Sequence, residues 1–203
     1  MAILSDTEET ETEHLNELGL HAEALCAIER ELKTRQDKEI LWEAVTTAMA
    51  NKRYDLAVEY AERLKLAPGI KQRHLQLVSL AYNYAGRSLE AYQCCREAIE
   101  RTDTPNEAPD YYTMACRASS IGLHKEAFAN ILIALASLFR ADEEILRKAF
   151  LDSELAGAWH YAATAEPTFA QAITVYFPDW KYVVRHNTDA EPERWVDHSD
   201  LKH

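Results

Sequence analysis

The sequence predicts an all-α fold built from repeated pairs of antiparallel helices. Three observations support this prediction: few helix-breaking residues, a pattern that returns at a nearly fixed interval, and apolar residues at helical spacing on both sides of each predicted turn. Glycine occurs 5 times and proline 6 times in 203 residues. Such usage favours long helices over a turn-rich all-β chain.

Four segments share a turn residue that is followed five positions later by alanine. The pairs are Gly19 with Ala24, Lys52 with Ala57, Gly86 with Ala91, and Gly122 with Ala127. Successive alanines lie 33, 34 and 36 residues apart. An interval of this length holds one pair of helices per unit.

Apolar residues in the best-formed units lie on one face of each predicted helix. In the third unit they are Leu75, Val78, Ser79 and Tyr82 before the turn and Ala91, Cys95, Ala98 and Ile99 after it. In the fourth unit they are Tyr111, Met114, Ala115 and Ala118 before the turn and Ala127, Ile131, Ala134 and Leu135 after it. The small residues in these sets would let paired helix axes approach closely.

This arrangement resembles the tetratricopeptide repeat family, whose pattern has bulky, small and aromatic residues on a first helix, a turn glycine, and alanines on a second. The third and fourth units match best, whereas Lys52 replaces the glycine in the second. The resemblance covers residues 38–140 and implies a right-handed α-solenoid with repeats at 38–70, 72–105 and 108–140. Degenerate capping helices would close both ends.

The N-terminal end departs from the repeat pattern. Glu8, Glu11 and Thr12 occupy positions before Gly19 that should be apolar. Residues 1–37 are therefore predicted to form an acidic segment and a degenerate first repeat with a half-formed first helix.

The C-terminal end is predicted to cap the array. Residues 141–178 would supply the capping helices, one from Ser153 to about Ala165 and another over Pro167 to Tyr176. These helices are expected to cover the apolar Ala127 to Phe139 segment, including Ile131, Leu132 and Ile133. A polar tail over residues 179–203 would follow.

The charge balance excludes several classes of partner. With 34 acidic and 22 basic residues, the formal net charge is −12, which disfavours nucleic acid and anionic membranes because both need a basic surface. Residues 1–33 alone hold 9 acidic and 2 basic side chains. The absence of a basic and apolar leader, and four cysteines without a CxxC pair, predict a cytoplasmic protein with free thiols.

The sequence contains no recognisable catalytic or metal-binding motif. The five glycines are too far apart for a phosphate-binding loop, and the eight histidines lack zinc-ligand spacing. His21 and His124 follow Gly19 and Gly122 by two residues, which points to turn chemistry. We predict no cofactor, no metal and no enzymatic activity, although a small-molecule enzyme or sensor with an acid pair from Glu143, Glu144, Asp152 and Glu154 stays open.

The resemblance implies a concave groove lined by residues 13, 10, 6, 3 and 2 positions before each turn residue. The candidate partner-binding residues are Glu39, Trp42, Thr46, Met49, Arg73, Gln76, Leu80, Asn83, Tyr84, Tyr112 and Cys116, and the same offsets also give Ala50, Pro109, Ser119 and Ser120. Trp42, Tyr84, Tyr112 and Arg73 are of the types found as binding anchors. Two alternatives stay open: Trp42 could pack on the neighbouring hairpin, and Met49 or Leu80 could be core residues.

These features predict a non-catalytic module that captures a segment of another protein or peptide, as a scaffold or partner chaperone. The alternative is an acidic inhibitor or immunity-type protein that masks a basic partner site with its charged ends. Binding of chaperone tails by a carboxylate clamp is disfavoured, since only Arg73 and Asn83 offer the required chemistry. The oligomeric state and the identity of the partner are not specified by the sequence.

Overall fold

The computed structural model of this chain describes residues 11–101, 108–137, 149–166, 168 and 171. All regular elements within these ranges are helical, and none is a strand. The chain divides into two compact units, Met1–Pro105 and Asn106–His203, which we call unit 1 and unit 2. The all-α prediction is therefore confirmed over the residues that the structure describes.

Unit 1 contains three consecutive helix pairs. The helices are α1 (Glu11–Glu17), α2 (His21–Glu31), α3 (Lys38–Ala50), α4 (Tyr54–Leu66), α5 (Gln72–Tyr84) and α6 (Ser88–Glu100). Within each pair the two helices pack together, and α2 packs on α3, α4 on α5, and α3 on α5. First helices of successive pairs, α3 and α5, therefore lie side by side.

The four repeated turn residues share one backbone conformation. Gly19, Gly86 and Gly122 have φ of 72°, 73° and 79°, and Lys52 has φ of 58°. This left-handed region is open to glycine but crowds the Cβ of other residues. The pattern that placed Lys52 in register with three glycines thus identified equivalent turns.

Burial follows the same register. The alanines five positions after each turn residue, Ala24, Ala57, Ala91 and Ala127, are all fully buried. Seven positions before each turn lie Thr12, Val45, Ser79 and Ala115, none more than 1% exposed. Small residues at these positions let the two helices of a pair cross closely, and Ser79 Oγ donates to Ala91 O at 2.8 Å across one crossing.

Polar contacts and caps fix the first pairs of unit 1. Asn16 Nδ2 donates to Thr47 Oγ1 at 2.8 Å, joining α1 to α3. Asp37 caps α3 by accepting from Ile40 N at 3.1 Å, which satisfies one of the free amides at the helix start. The first described helix spans only seven residues and buries Thr12 at the position that Val45 has in α3 and Ser79 in α5.

Unit 2 contains α7 (Ala108–Ser120), α8 (His124–Ser137), a 3₁₀ turn at Ser153–Leu155 and α9 (Ala156–Ala165). Trp159 is fully buried and donates its Nε1 hydrogen to Ala149 O at 2.9 Å. Its ring lies 4.3 Å from that of Phe150 and 6.4 Å from that of Phe128, between centroids. Trp159 is thus central to the packing of α9 on α8.

The C-terminal part differs from the sequence prediction in how the helix expected from Ser153 begins. The single helix expected from Ser153 is split, because the Asp152 carboxylate bonds Glu154 N at 2.9 Å and starts a 3₁₀ turn before α9. The residues expected to cover α8 fall largely outside the described part of the chain, so that prediction stays open. Within α8, Ile131 is buried, whereas Leu132 and Ile133 are 38% and 41% exposed. They lie on the side of α8 away from Ile131, as helical spacing dictates.

Gly157 and His124 form a close contact between α9 and α8. A Cβ at Gly157 would collide with the His124 ring, so glycine is required for this approach. His124 therefore has a packing role beyond the turn chemistry that its sequence position indicated.

Several predictions fall on residues that the structure does not describe. They are the acidic run before Glu11, the acid-pair candidates Glu143 and Glu144, all but residues 168 and 171 of the Pro167 to Tyr176 helix, and the 179–203 tail. The described helices include none that is both long enough and apolar enough to cross a membrane.

Candidate partner-binding face

Most of the predicted groove residues come together on one surface of unit 1. Helix α3 contributes Glu39, Trp42, Thr46 and Met49, and α5 contributes Arg73, Gln76, Leu80, Asn83 and Tyr84. We call this surface the α3–α5 face. Glu39, Arg73 and Tyr84 are exposed, and the other six residues are half-buried.

Trp42 and Arg73 form the most structured part of the α3–α5 face. The Trp42 ring is half-buried and packs against the hydrophobic core, so the neighbouring-hairpin contact that the sequence left open is present. The Arg73 guanidinium carbon lies over this ring, 5.8 Å from its centroid. A cation over an indole face is held by the ring quadrupole while keeping its hydrogens available.

The buried His74 ring packs against Trp42. It is 3% exposed, and its ring meets that of Trp42 edge-on at 5.6 Å. Nδ1 accepts from Lys71 N at 2.8 Å, which identifies the ring nitrogen that carries no hydrogen. Burial, and then the nearby Arg73 and Lys38 charges, lower the pKa of His74, so the ring is neutral at pH 7.

The middle of the face carries one amide side chain, Gln76, and otherwise offers few polar groups. The Thr46 hydroxyl bonds the carbonyls of Trp42 and Glu43 at 3.2 and 3.0 Å on its own helix. Met49 packs against the core, which agrees with its alternative assignment as a core residue. Leu80 is half-buried and apolar. This part can therefore accept apolar side chains.

Tyr84 forms the other end of the face. It is 52% exposed, and its ring stacks on Tyr54 at 5.4 Å with an interplanar angle of 10°. The stacking holds the ring in place while one side stays open to solvent. Asn83 beside it is half-buried.

Tyr112 and Cys116 belong to unit 2, where their side chains contact Asp152. The Tyr112 hydroxyl donates to Asp152 Oδ2 at 2.5 Å, and Cys116 Sγ lies 3.8 Å from the same oxygen. Burial and the nearby carboxylate raise the pKa of both groups. Cys116 is only 5% exposed, so its prediction as a partner-contacting residue is corrected: the segment at Asp152 covers it.

Arg117 and Ser119 in α7 are buried like Cys116. Arg117 is 6% exposed and pairs with Glu154 at 3.3 Å, and Ser119 is 8% exposed. The Asp152 and Glu154 carboxylates, which the sequence offered as parts of an acid pair, therefore serve packing of the 3₁₀ turn against α7. Among the described residues, no three His, Cys, Asp or Glu side chains group in a way that suits a metal ion.

Solved structures with similar folds are helical repeat proteins. MamA matches with a TM-score of 0.64 and 13% identity, over 89% of this chain and 95% of MamA. YrrB, described as a TPR protein with an unusual peptide-binding site, matches with a TM-score of 0.66 and 13% identity, over 88% and 89%. A kinesin light chain protein from Podosopora anserina with TPR-like repeats matches with a TM-score of 0.59 and 17% identity, over 89% and 94%.

This chain has the tetratricopeptide repeat fold. The likeness lies in the structure, since no protein-family model matches the sequence and no curated protein is significantly similar to it. In this fold α3 and α5 are the first helices of two successive repeats, and the α3–α5 face is built from equivalent positions of both.

The sequence reasoning missed the local positive charge of the α3–α5 face. Residues 63–89 contain five basic side chains and no Asp or Glu, in a chain of net charge −12. The whole of α5 lies inside this run. A scan for segments without carboxylates would have found it.

Proposed function

We propose that this protein is a non-catalytic interaction module that holds an extended or helical segment of another protein on the α3–α5 face. The observation that carries the proposal is the arrangement of Trp42 under Arg73 at one end and Tyr84 on Tyr54 at the other. Aromatic and arginine side chains that are already held in place lose little freedom on binding, so they suit anchors.

The apolar middle of the face supports the same proposal. Leu80 and Met49 are half-buried, and the Thr46 hydroxyl is used within its helix. A segment that lays one or two apolar side chains here would bury them without leaving polar groups unpaired. The peptide-binding site ascribed to YrrB is in line with this role for the fold.

A scaffold or partner chaperone in the cytoplasm is the specific role that we infer. The four cysteines are free and three of them are buried, as is usual where thiols stay reduced. The net charge of −12 supports a protein or peptide partner rather than nucleic acid or a membrane.

The test begins with a phage-displayed library of random dodecapeptides selected against the full chain. The affinities of selected peptides are then compared between the wild type and the double variant Trp42→Ala with Tyr84→Ala. We expect a loss of about 30-fold or more, which corresponds to about 2 kcal/mol for an anchoring aromatic pair. Leu89→Ala on α6 is the matched control, because Leu89 is 54% exposed.

Circular dichroism checks that the double variant keeps its helices, and Tyr84→Ala alone gives a readout if it does not. Glu8, Glu9 and Glu11 changed together to Gln should alter affinity far less, since exposed charges are screened over about 8 Å. Full loss of binding in this Glu-to-Gln variant, with the aromatic variants unaffected, would contradict the proposal and favour the acidic inhibitor.

A further inference from the structure

We infer that the N-terminal end of the α3–α5 face binds an acidic side chain, Asp or Glu, within the partner segment. The receiving group is the Arg73 guanidinium on Trp42. Lys71 lies two residues before it in the sequence, and Lys38 Nζ donates to Gly69 O just before α5. This inference rests on the proposed function and names the chemistry of its partner.

The distribution of charge along the chain is the first support. The carboxylate-free run of residues 63–89 includes Lys71 and Arg73, and no acidic residue lies in the first turn of α5. Elsewhere acids outnumber bases, so a local excess of cations stands out on this face. Such an excess attracts a negative group and steers it during association.

The state of Arg73 is the second support. Most other arginines of unit 1 hold carboxylates: Arg87 bonds Glu62 and Glu90 at 2.9 Å each, Arg35 bonds Asp37 at 3.0 Å, and Arg101 bonds Glu97 at 2.6 Å. No carboxylate in the described part of the chain pairs with Arg73, which is exposed and lies over Trp42 instead. Its fork of N–H donors is free to take a carboxylate in two hydrogen bonds.

Neighbouring cations strengthen the preference for an anion. Lys38 Nζ donates to Gly69 O at 3.5 Å, which holds this cation beside the segment that leads into α5. The charges of Lys38 and Arg73 both lower the pKa of His74. Glu39 is the opposing charge here, and its carboxylate lies 3.8 Å from Lys38 Nζ. This contact leaves Arg73 and Lys71 in excess, because neither is among the ion pairs of the described residues.

The surroundings favour a side-chain carboxylate over a chain terminus. A terminal carboxylate is usually held by several converging charged donors. Inward of Arg73 the face has Gln76, Leu80 and Thr46, whose hydroxyl is used within its helix, and none of the three is charged. Asn83 lies ten residues further along, near the other end of α5. A segment that continues over the apolar middle, with its acid beside an apolar residue, fits these groups.

The experiment uses the dodecapeptides selected on the full chain, in which no peptide has a free C-terminus. Each peptide is synthesised with an amidated C-terminus, as selected and with its acidic residue changed from Glu to Gln or Asp to Asn. Affinity for the wild type and for Arg73→Gln is measured by fluorescence polarisation. Arg63→Gln is the matched control, since Arg63 lies 5.7 Å over Tyr60 on α4.

We expect selected sequences to be enriched in an acid next to an apolar residue. Neutralising that acid should weaken binding to the wild type and to Arg63→Gln about tenfold, but less than about twofold in Arg73→Gln. Raising the salt concentration should reduce affinity of the acidic peptide more than that of its neutral form.

Two results would overturn the inference while the proposed function stands. In the first, the selected peptides depend on Trp42 and Tyr84, but neutralising their acidic residue either leaves the affinity unchanged or lowers it by the same factor in the wild type and in Arg73→Gln. The other is a peptide without Asp or Glu that binds at least tenfold more tightly as the free acid than as the amide, which would assign the site to a chain terminus. If no peptide depends on Trp42 or Tyr84, the proposed function fails, and this inference fails with it.

Discussion

Lys52 has a backbone conformation that glycine adopts at the three equivalent turns. Its φ of 58° brings Cβ close to the following carbonyl, at a cost of about 1 kcal/mol or more. The side chain is exposed, so it adds little packing in return. Sequence reasoning identified this position as a turn because the alanine register holds through it.

The change Lys52→Gly should therefore stabilise the protein. Relief of the left-handed strain exceeds the added freedom of the unfolded chain, so we expect a gain of about 0.5 to 1 kcal/mol. For a chain of this size, thermal unfolding should shift upward by about 1 to 4 °C. Lys52→Ala is the control and should show no gain, because alanine keeps the crowded Cβ.

His74 connects stability to pH. Its folded pKa lies below the unfolded value of about 6.5, so the unfolded chain binds more protons between these two values. Its contribution to stability is fully present above about pH 6.5 and is lost as the pH falls through the folded pKa. Protonation would also end the bond that Nδ1 accepts from Lys71 N.

Urea unfolding of the wild type and of His74→Gln at about pH 7.5 and pH 5 tests this. The wild type should lose more free energy of unfolding over this range than the variant, which has no imidazole to protonate. Equal losses would show that His74 is not held in its neutral form.

At the scale of elements, the close crossing of α5 and α6 depends on small residues. Ala91 is fully buried, and its carbonyl accepts from Ser79 Oγ at 2.8 Å. The change Ala91→Leu should force the helices apart and destabilise the protein by about 1 to 3 kcal/mol. Gln93→Leu on the exposed side of α6 is the control for added apolar volume.

Chemical denaturation of both variants gives the comparison. A midpoint for Ala91→Leu that matches the wild type would contradict the helix crossing and, with it, the repeat register.

Helix pairs with a complete repeat pattern were the predictable elements. In α3 to α8, periodic apolar residues and a fixed turn position determine both the helices and their buried faces. The 3₁₀ turn at Ser153 to Leu155 was not predictable, because it depends on the Asp152 carboxylate, which bonds Glu154 N and also meets Tyr112 from α7. The bond from Tyr112 joins residues 40 positions apart, and a contact of that range leaves no local pattern in the sequence.

At the scale of the molecule, the division into two units bears on the predicted groove. Offsets from the turn residues selected Trp42, Arg73 and Tyr84 in unit 1, where α3 and α5 do lie side by side. The same offsets selected Cys116 in unit 2, which is buried under Asp152. A register specifies which side of a helix a residue is on, but only the fold shows what covers that side.

Partner segments are proposed to bind on the α3–α5 face. Hydrogen exchange of the full chain, with and without a saturating selected peptide, tests this proposal directly, because bound segments slow the opening of the helices that they contact. We expect added protection in residues 38–50 and 72–84, with α8 unchanged. Protection confined to the acidic residues before Glu11, or absent from both α3 and α5, would contradict it.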